Sequence, residues 1–147
     1  MEKKKLIRYR ILINSIHIVI GAYLLTLSDA YKLPDEYKKS EKHGYVLIVL
    51  GTLALSQIFN IYKNIKARGG TLKQYFNEMD RDTIYWDLIH IVHIILSGPL
   101  LILLGLYKIG KFDYIDEERF RSISLYLGIT LILYHLIRSI MHSFELH

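Results

Sequence analysis

Residues 17–32 read HIVIGAYLLTLSDAYK, and residues 93–108 read HIILSGPLLILLGLYK. Each is an apolar run that opens on a histidine and closes on Tyr-Lys. Both belong to longer apolar blocks, of which the chain has four: Tyr9–Ser28, Gly44–Tyr62, Thr83–Leu106 and Ser122–Met141. Each block approaches or reaches the roughly 20 residues needed to cross about 30 Å of hydrocarbon as helix. A chain of 147 residues normally makes one domain, but a 52% hydrophobic share gathered into blocks is unusual for a soluble one. The sequence therefore predicts an all-α membrane protein with four transmembrane helices.

Sliding the chain against itself relates these blocks in pairs. At an offset of 76, His17 falls on His93, Leu24-Leu25 on Leu100-Leu101, and Tyr31-Lys32 on Tyr107-Lys108. At an offset of 78, Gln57 falls on His135, Asn60 on Arg138 and Asn64 on His142. The pattern predicts a tandem duplication of a helical hairpin, with repeats related by an approximate two-fold along the membrane normal. Residues 1–68 form the first hairpin, 69–82 a linker and 83–147 the second hairpin. Because the first span matches the third, which cannot be a leader, the first span is expected to be retained despite Lys3–Lys5 before it.

Charge orients the bundle. Lys3, Lys4, Lys5, Arg8 and Arg10 flank the first span, and Lys63, Lys66, Arg68, Lys73 and Arg81 lie between the second and third. The positive-inside rule then places both termini on the cytoplasmic or equivalent side. The loops account for the net charge of +5, so it does not point to nucleic acid. With no cysteine in the chain, disulfides, thiolate ligands and Fe–S clusters are excluded. In the linker, Gly69-Gly70 ends the second helix and Thr71 can cap a new one. Leu72, Tyr75, Phe76 and Met79 recur at i, i+3, i+4 and i+7, a pattern for an amphipathic segment in the interface or against a protein partner.

Ionisable side chains inside a span raise a functional hypothesis by default. Trp86, His90, His93 and Ser97 form one stripe, as do His135, Arg138 and His142 on the last span. Asn14 and His17 share a face of the first span, and Gln57, Asn60 and Asn64 one of the second. At about 1.5 Å of rise per residue, His17, His93 and Gln57 reach one layer. His90, His135, Asn14 and Asn60 form a shallower one, with Asp87, Arg138 and His142 near the boundary.

Three readings compete for this layer. In the first, His17 and His93 are axial ligands of a haem b held in the bundle, with Gly21, Ser97 and Gly98 leaving room for it. In the second, His90, His93 and His135, with Asp87, bind a transition metal or pass protons. In the third, the polar side chains hydrogen-bond across helices and no cofactor is needed. Pro99 leaves the carbonyl of Ile95 without its helical donor and predicts a kink in the third span. The chain has no Gly-rich phosphate loop, no nucleophile–base–acid set and no HExxH.

Two stretches resemble known families. YHLIRSIMH, Tyr134 to His142, resembles the stretch around the haem-ligating histidine in the membrane anchors of succinate dehydrogenase. That resemblance implies His135 as a haem ligand. It covers about nine residues, and the family's Ser and Arg quinone-site pattern is missing here. More broadly, His93, Pro99-Leu100-Leu101, Leu127-Gly128 and Tyr134-His135-Leu136 resemble small multi-span membrane proteins of large DNA viruses. The first hairpin departs from that pattern, with Tyr23 aligned to Pro99 and Gln57 to His135. This likeness covers about a third of the chain and implies a virion or host-membrane protein.

The expected function is thus a small polytopic membrane protein with a His-lined interior that binds haem b or a metal for electron or proton transfer. The alternative is a structural component of a virion or an accessory subunit of a larger membrane complex. The expected partners are the bilayer and a homo-oligomer or larger assembly. A pore would require oligomerisation of four such short spans.

Overall fold

Lipid offers the backbone no hydrogen-bond partner, so a crossing segment must satisfy its N–H and C=O groups within a helix or a closed barrel. The chain takes the helical route. The computed structural model describes residues 2–67, 69–77 and 81–144, without the side chains of residues 2–4, 35, 72, 76–77 and 81–83. Its elements are α1 (Glu2–Leu27), α2 (Asp35–Lys38), α3 (Lys42–Leu55), α4 (Ile58–Ala67), α5 (Leu72–Asn77), α6 (Arg81–Val92), a π-helical turn (His93–Ser97), α7 (Gly98–Lys108) and α8 (Glu117–Phe144). Four helical runs are long and apolar enough to cross a membrane: Lys5–Leu27, Lys42–Ala67, Ile84–Lys108 and Glu117–Phe144. Their outward faces are apolar, with Val19 68% and Ile95 71% exposed, which suits lipid rather than water.

The helices pack in two compact units, Met1–Lys39 with Tyr114–His147, and Ser40–Asp113. Each unit takes one span from each of the two hairpins expected from sequence, so packing divides the chain differently from the order of its spans.

In the first unit α1 and α8 run antiparallel. Asn14 meets His135, Gly21 meets Gly128, and Asp29 meets Arg121. A Cβ on Gly21 would lie 2.8 Å from the Gly128 carbonyl oxygen, and a Cβ on Gly128 would lie 2.8 Å from that of Gly21. Only glycine permits backbones this close, and close approach is what drives helix association in a solvent as apolar as the side chains. Ile7, Leu24, Leu27 and Phe120 fill the contact on either side. In the second unit α3 and α7 repeat the arrangement. A Cβ on Gly51 would lie 2.7 Å from the Gly98 carbonyl oxygen, and one on Gly105 would lie 2.6 Å from that of Gly44. Leu47, Leu101 and Leu104 are buried beside them.

The second unit is the irregular one. Its first span breaks between Leu55 and Ile58, where the sequence gives no obvious stop. The Ser56 hydroxyl donates to the Leu53 carbonyl at 2.6 Å, and the Phe59 N–H donates to the Ser56 carbonyl at 3.0 Å. A serine side chain competing for backbone partners in this way loosens the ladder. The kink expected at Pro99 takes the form of the π-helical turn. The Gly98 N–H donates to the His93 carbonyl, five residues back. Pro99 has no N–H for the Ile95 carbonyl, and its ring crowds that turn, so the wider turn accommodates both.

The linker follows the sequence reading where it is described. Gly69 and Gly70 take φ of +94° and +79°, a conformation that favours glycine and stops the helix. The Gln74 N–H donates to the Thr71 hydroxyl at 3.2 Å, and that hydroxyl donates to Gln74 Oε1 at 2.7 Å, so Thr71 caps α5 as expected. Tyr75 is buried. Met79 and the side chains of Leu72 and Phe76 lie outside the described residues.

Gly21→Leu forces backbone atoms apart along α1 and α8, and overpacking of this kind costs about 1–3 kcal/mol. Thermal unfolding in detergent, followed by circular dichroism, should show a lower midpoint for Gly21→Leu than for the exposed control Val19→Leu. Equal midpoints would contradict the close contact.

A second expectation concerns acid. Asp29 joins the end of α1 to Arg121 at 2.6 Å and to Lys38 at 3.3 Å. The Arg121 hydrogen bond, the largest influence, holds its carboxyl below the ordinary carboxylate range. A depressed carboxyl stabilises the fold above its unfolded pKa, near 4, and the contribution is lost as pH falls through the lower folded value. Between pH 5 and pH 2.5 the wild type should therefore lose more of its melting temperature than Asp29→Asn.

Candidate functional site

Each of the two units holds a group of the interior polar residues. In the first unit, α1 places Asn14 and His17 one turn apart, and α8 brings His135 against both. The His135 Nδ1–H donates to Asn14 Oδ1 at 2.8 Å, which assigns the proton to that nitrogen. His17 lies face to face with His135, with ring centroids 4.2 Å apart and planes 23° from parallel. The edge of Tyr134 closes against His135 at 4.9 Å. His135 is 5% exposed and Asn14 is buried. One turn onward, Arg138 donates to His142 Nε2 at 3.4 Å, and His142 is buried.

In the second unit the group centres on Asp87, which is 2% exposed. Asn64, from α4, donates its amide N–H to Asp87 Oδ1 at 2.7 Å. The Tyr75 hydroxyl, from α5, donates to Asp87 Oδ2. His90, one turn along α6, holds Nδ1 3.6 Å from Asp87 Oδ1. Three elements thus converge on a single carboxylate. Gln57 and Asn60 pair on their own helix, the Asn60 amide donating to Gln57 Oε1 at 2.6 Å.

His17 and His93, the residues that open the two repeated lines, share one local geometry. His17 Nδ1 donates to the Ile13 carbonyl and His93 Nδ1 to the Ile89 carbonyl, both at 2.8 Å. This bond selects the tautomer in which Nε2 carries the lone pair.

Within each unit some of the expected site residues come together. Asn14, His17 and His135 meet in the first unit, and Asp87 and His90 meet in the second. His135 belongs to a different unit from His90, His93 and Asp87, and His17 to a different unit from His93. Among the described residues no three His, Asp or Glu side chains gather to hold a metal ion. His17 and His135 touch face to face, so as a pair they do not stand across a porphyrin. The residue that sequence reasoning placed elsewhere is Tyr75, read as part of an interfacial apolar face. Its hydroxyl is the signal, since tyrosine is the one member of that face with a polar tip that needs a partner when buried.

No protein-family model, curated protein or solved structure matches the chain.

The His135–Asn14 bond can be weighed by a double-mutant cycle. Asn14→Ala strands a buried imidazole N–H, whereas Asn14→Ala with His135→Leu removes both partners, which is the less costly change. The double variant should therefore lose less stability than the two single losses added together. The coupling should be on the order of 0.6–1.7 kcal/mol, the range for interhelical bonds in membranes. Strict additivity would mean that the bond contributes nothing.

Proposed function

We propose that the chain is a structural, multi-pass integral membrane protein that acts within a larger membrane assembly, and that its interior polar residues serve helix packing. One observation carries this reading. The buried imidazole of His135 is bonded to Asn14 and stacked on His17, so the polar groups of α1 and α8 are used in holding these two helices together. The lipid-compatible faces and the absence of a sequence signature for soluble-type catalysis support the same view.

The origin of the fold belongs to this proposal. A duplicated hairpin accounts for one feature found twice, and a second lies one residue out of its register. Gly21 and Gly98 are 77 positions apart, as are Gly51 and Gly128, and each unit is closed by a contact between one member of each pair. The Nδ1-to-carbonyl bonds of His17 and His93 recur with the sequence repeat. The basic residues before α1 and around α4 support an orientation with both termini on the cytoplasmic side.

A haem b reading draws on one specific observation, the shared tautomer of His17 and His93, which makes Nε2 the ligating atom in both. An absorption spectrum of detergent-purified protein, expressed with added haem, separates the readings. The structural reading expects no Soret band. A stoichiometric Soret band that disappears in His17→Ala or His93→Ala would overturn it.

A further inference from the structure

The Asp87 group has two features that bear on what it can bind. The first is charge. Both hydrogen-bond donors to Asp87, Asn64 and Tyr75, are neutral side chains, and among the described residues the one cation-forming group within 4 Å of the carboxylate is His90. A buried carboxylate calls for a compensating cation, and a protonated His90 or a metal ion held between the two side chains can supply it. The second is the nitrogen itself. His90 Nδ1 is buried and accepts or donates no hydrogen bond, although its nearest acceptor stands 3.6 Å away. That separation exceeds an N–H···O bond, which ends near 3.2 Å.

A gap of this size has a ready meaning. Two ligand atoms bound to a zinc-sized ion at about 2.0–2.2 Å, at a tetrahedral angle, stand roughly 3.3–3.6 Å apart. A carboxylate and a histidine at i and i+3 on one helix is also the spacing by which helical bundles hold metals. Asn64 and Tyr75 fix the carboxylate from two other elements, as outer partners do for a ligating carboxylate.

We propose that Asp87 Oδ1 and His90 Nδ1 bind one divalent transition-metal ion of the zinc class, with oxygen from solvent completing the coordination. Imidazole with carboxylate suits such borderline ions. Two protein ligands make this a modest-affinity site rather than a permanent structural centre. It uses two of the four residues that the sequence set out for a metal, Asp87 and His90. The site goes beyond the structural reading of the whole chain, and neither depends on the other.

The test uses the full-length chain, purified in detergent and stripped with a chelator. Titration with Zn²⁺ in a calorimeter should show one ion per chain. Asp87→Asn and His90→Gln should each weaken binding at least tenfold, while His17→Gln leaves it unchanged. Helicity by circular dichroism confirms that each variant folds. A gain-of-ligand variant, Asn64→Asp, supplies a second carboxylate from α4 and should tighten binding about tenfold, an outcome that misfolding cannot imitate. Co²⁺ should give a d–d spectrum of nitrogen and oxygen ligation. Absence of saturable Zn²⁺ binding below millimolar overturns the proposal, as does binding that survives both Asp87→Asn and His90→Gln. Heat that tracks proton uptake without bound metal also overturns it, and would assign the pair to a proton instead.

Discussion

A glycine facing the carbonyl of another glycine sets the distance at which each helix pair closes. In water, apolar side chains would drive helices together whatever their fit. In lipid that drive is missing, because the solvent is as apolar as leucine, and what remains is packing and polar contact. Gly21 against Gly128, and Gly51 against Gly98, bring the backbones close enough for packing to count. The buried Leu, Ile and Phe side chains beside them gain their contacts only at that spacing.

The polar groups depend on the same approach. With Gly21 and Gly128 in contact, residues seven positions away on each antiparallel helix face each other, which is where Asn14 and His135 lie. Eight and seven positions toward the opposite end, Asp29 meets Arg121. The α1–α8 pair is thus pinned by an interior hydrogen bond at one end and a surface ion pair at the other, with the glycine contact as the pivot. Surface ion pairs contribute little by themselves, so the energetic weight falls on the buried end.

Much of this was legible in the sequence, and what was not has a physical cause. The spans could be read because membrane thickness fixes a minimum apolar length. Thr71 and the Gly69-Gly70 stop could be read because caps are local chemistry. His17 and His93 could be matched because they stand at equivalent places in repeated lines, and their identical Nδ1 bonds reflect the same local helix. The packing of one helix on another could not be read, since four spans of similar composition permit several pairings. The break at Ser56-Gln57 was hidden because serine and glutamine are common within helices, and only the hydroxyl's choice of Leu53 marks the site. Tyr75 was misplaced because its apolar ring fits an interfacial pattern as well as a buried one. Stripe and depth put Asn14, His17 and His135 on interior faces, but neither determines which helix a side chain meets.

The π-helical turn at His93–Ser97 has a consequence for how the third span is used. One extra residue in a turn advances the following helix by about 100° around its axis. Asp87 precedes the turn and addresses α4 and α5, whereas Gly98 and Gly105 follow it and address α3. Without that phase shift a single stripe would have to serve both neighbours, and any residue chosen for one would constrain the other. The turn uncouples them, so the span behaves as two half-helices in series whose faces can change independently.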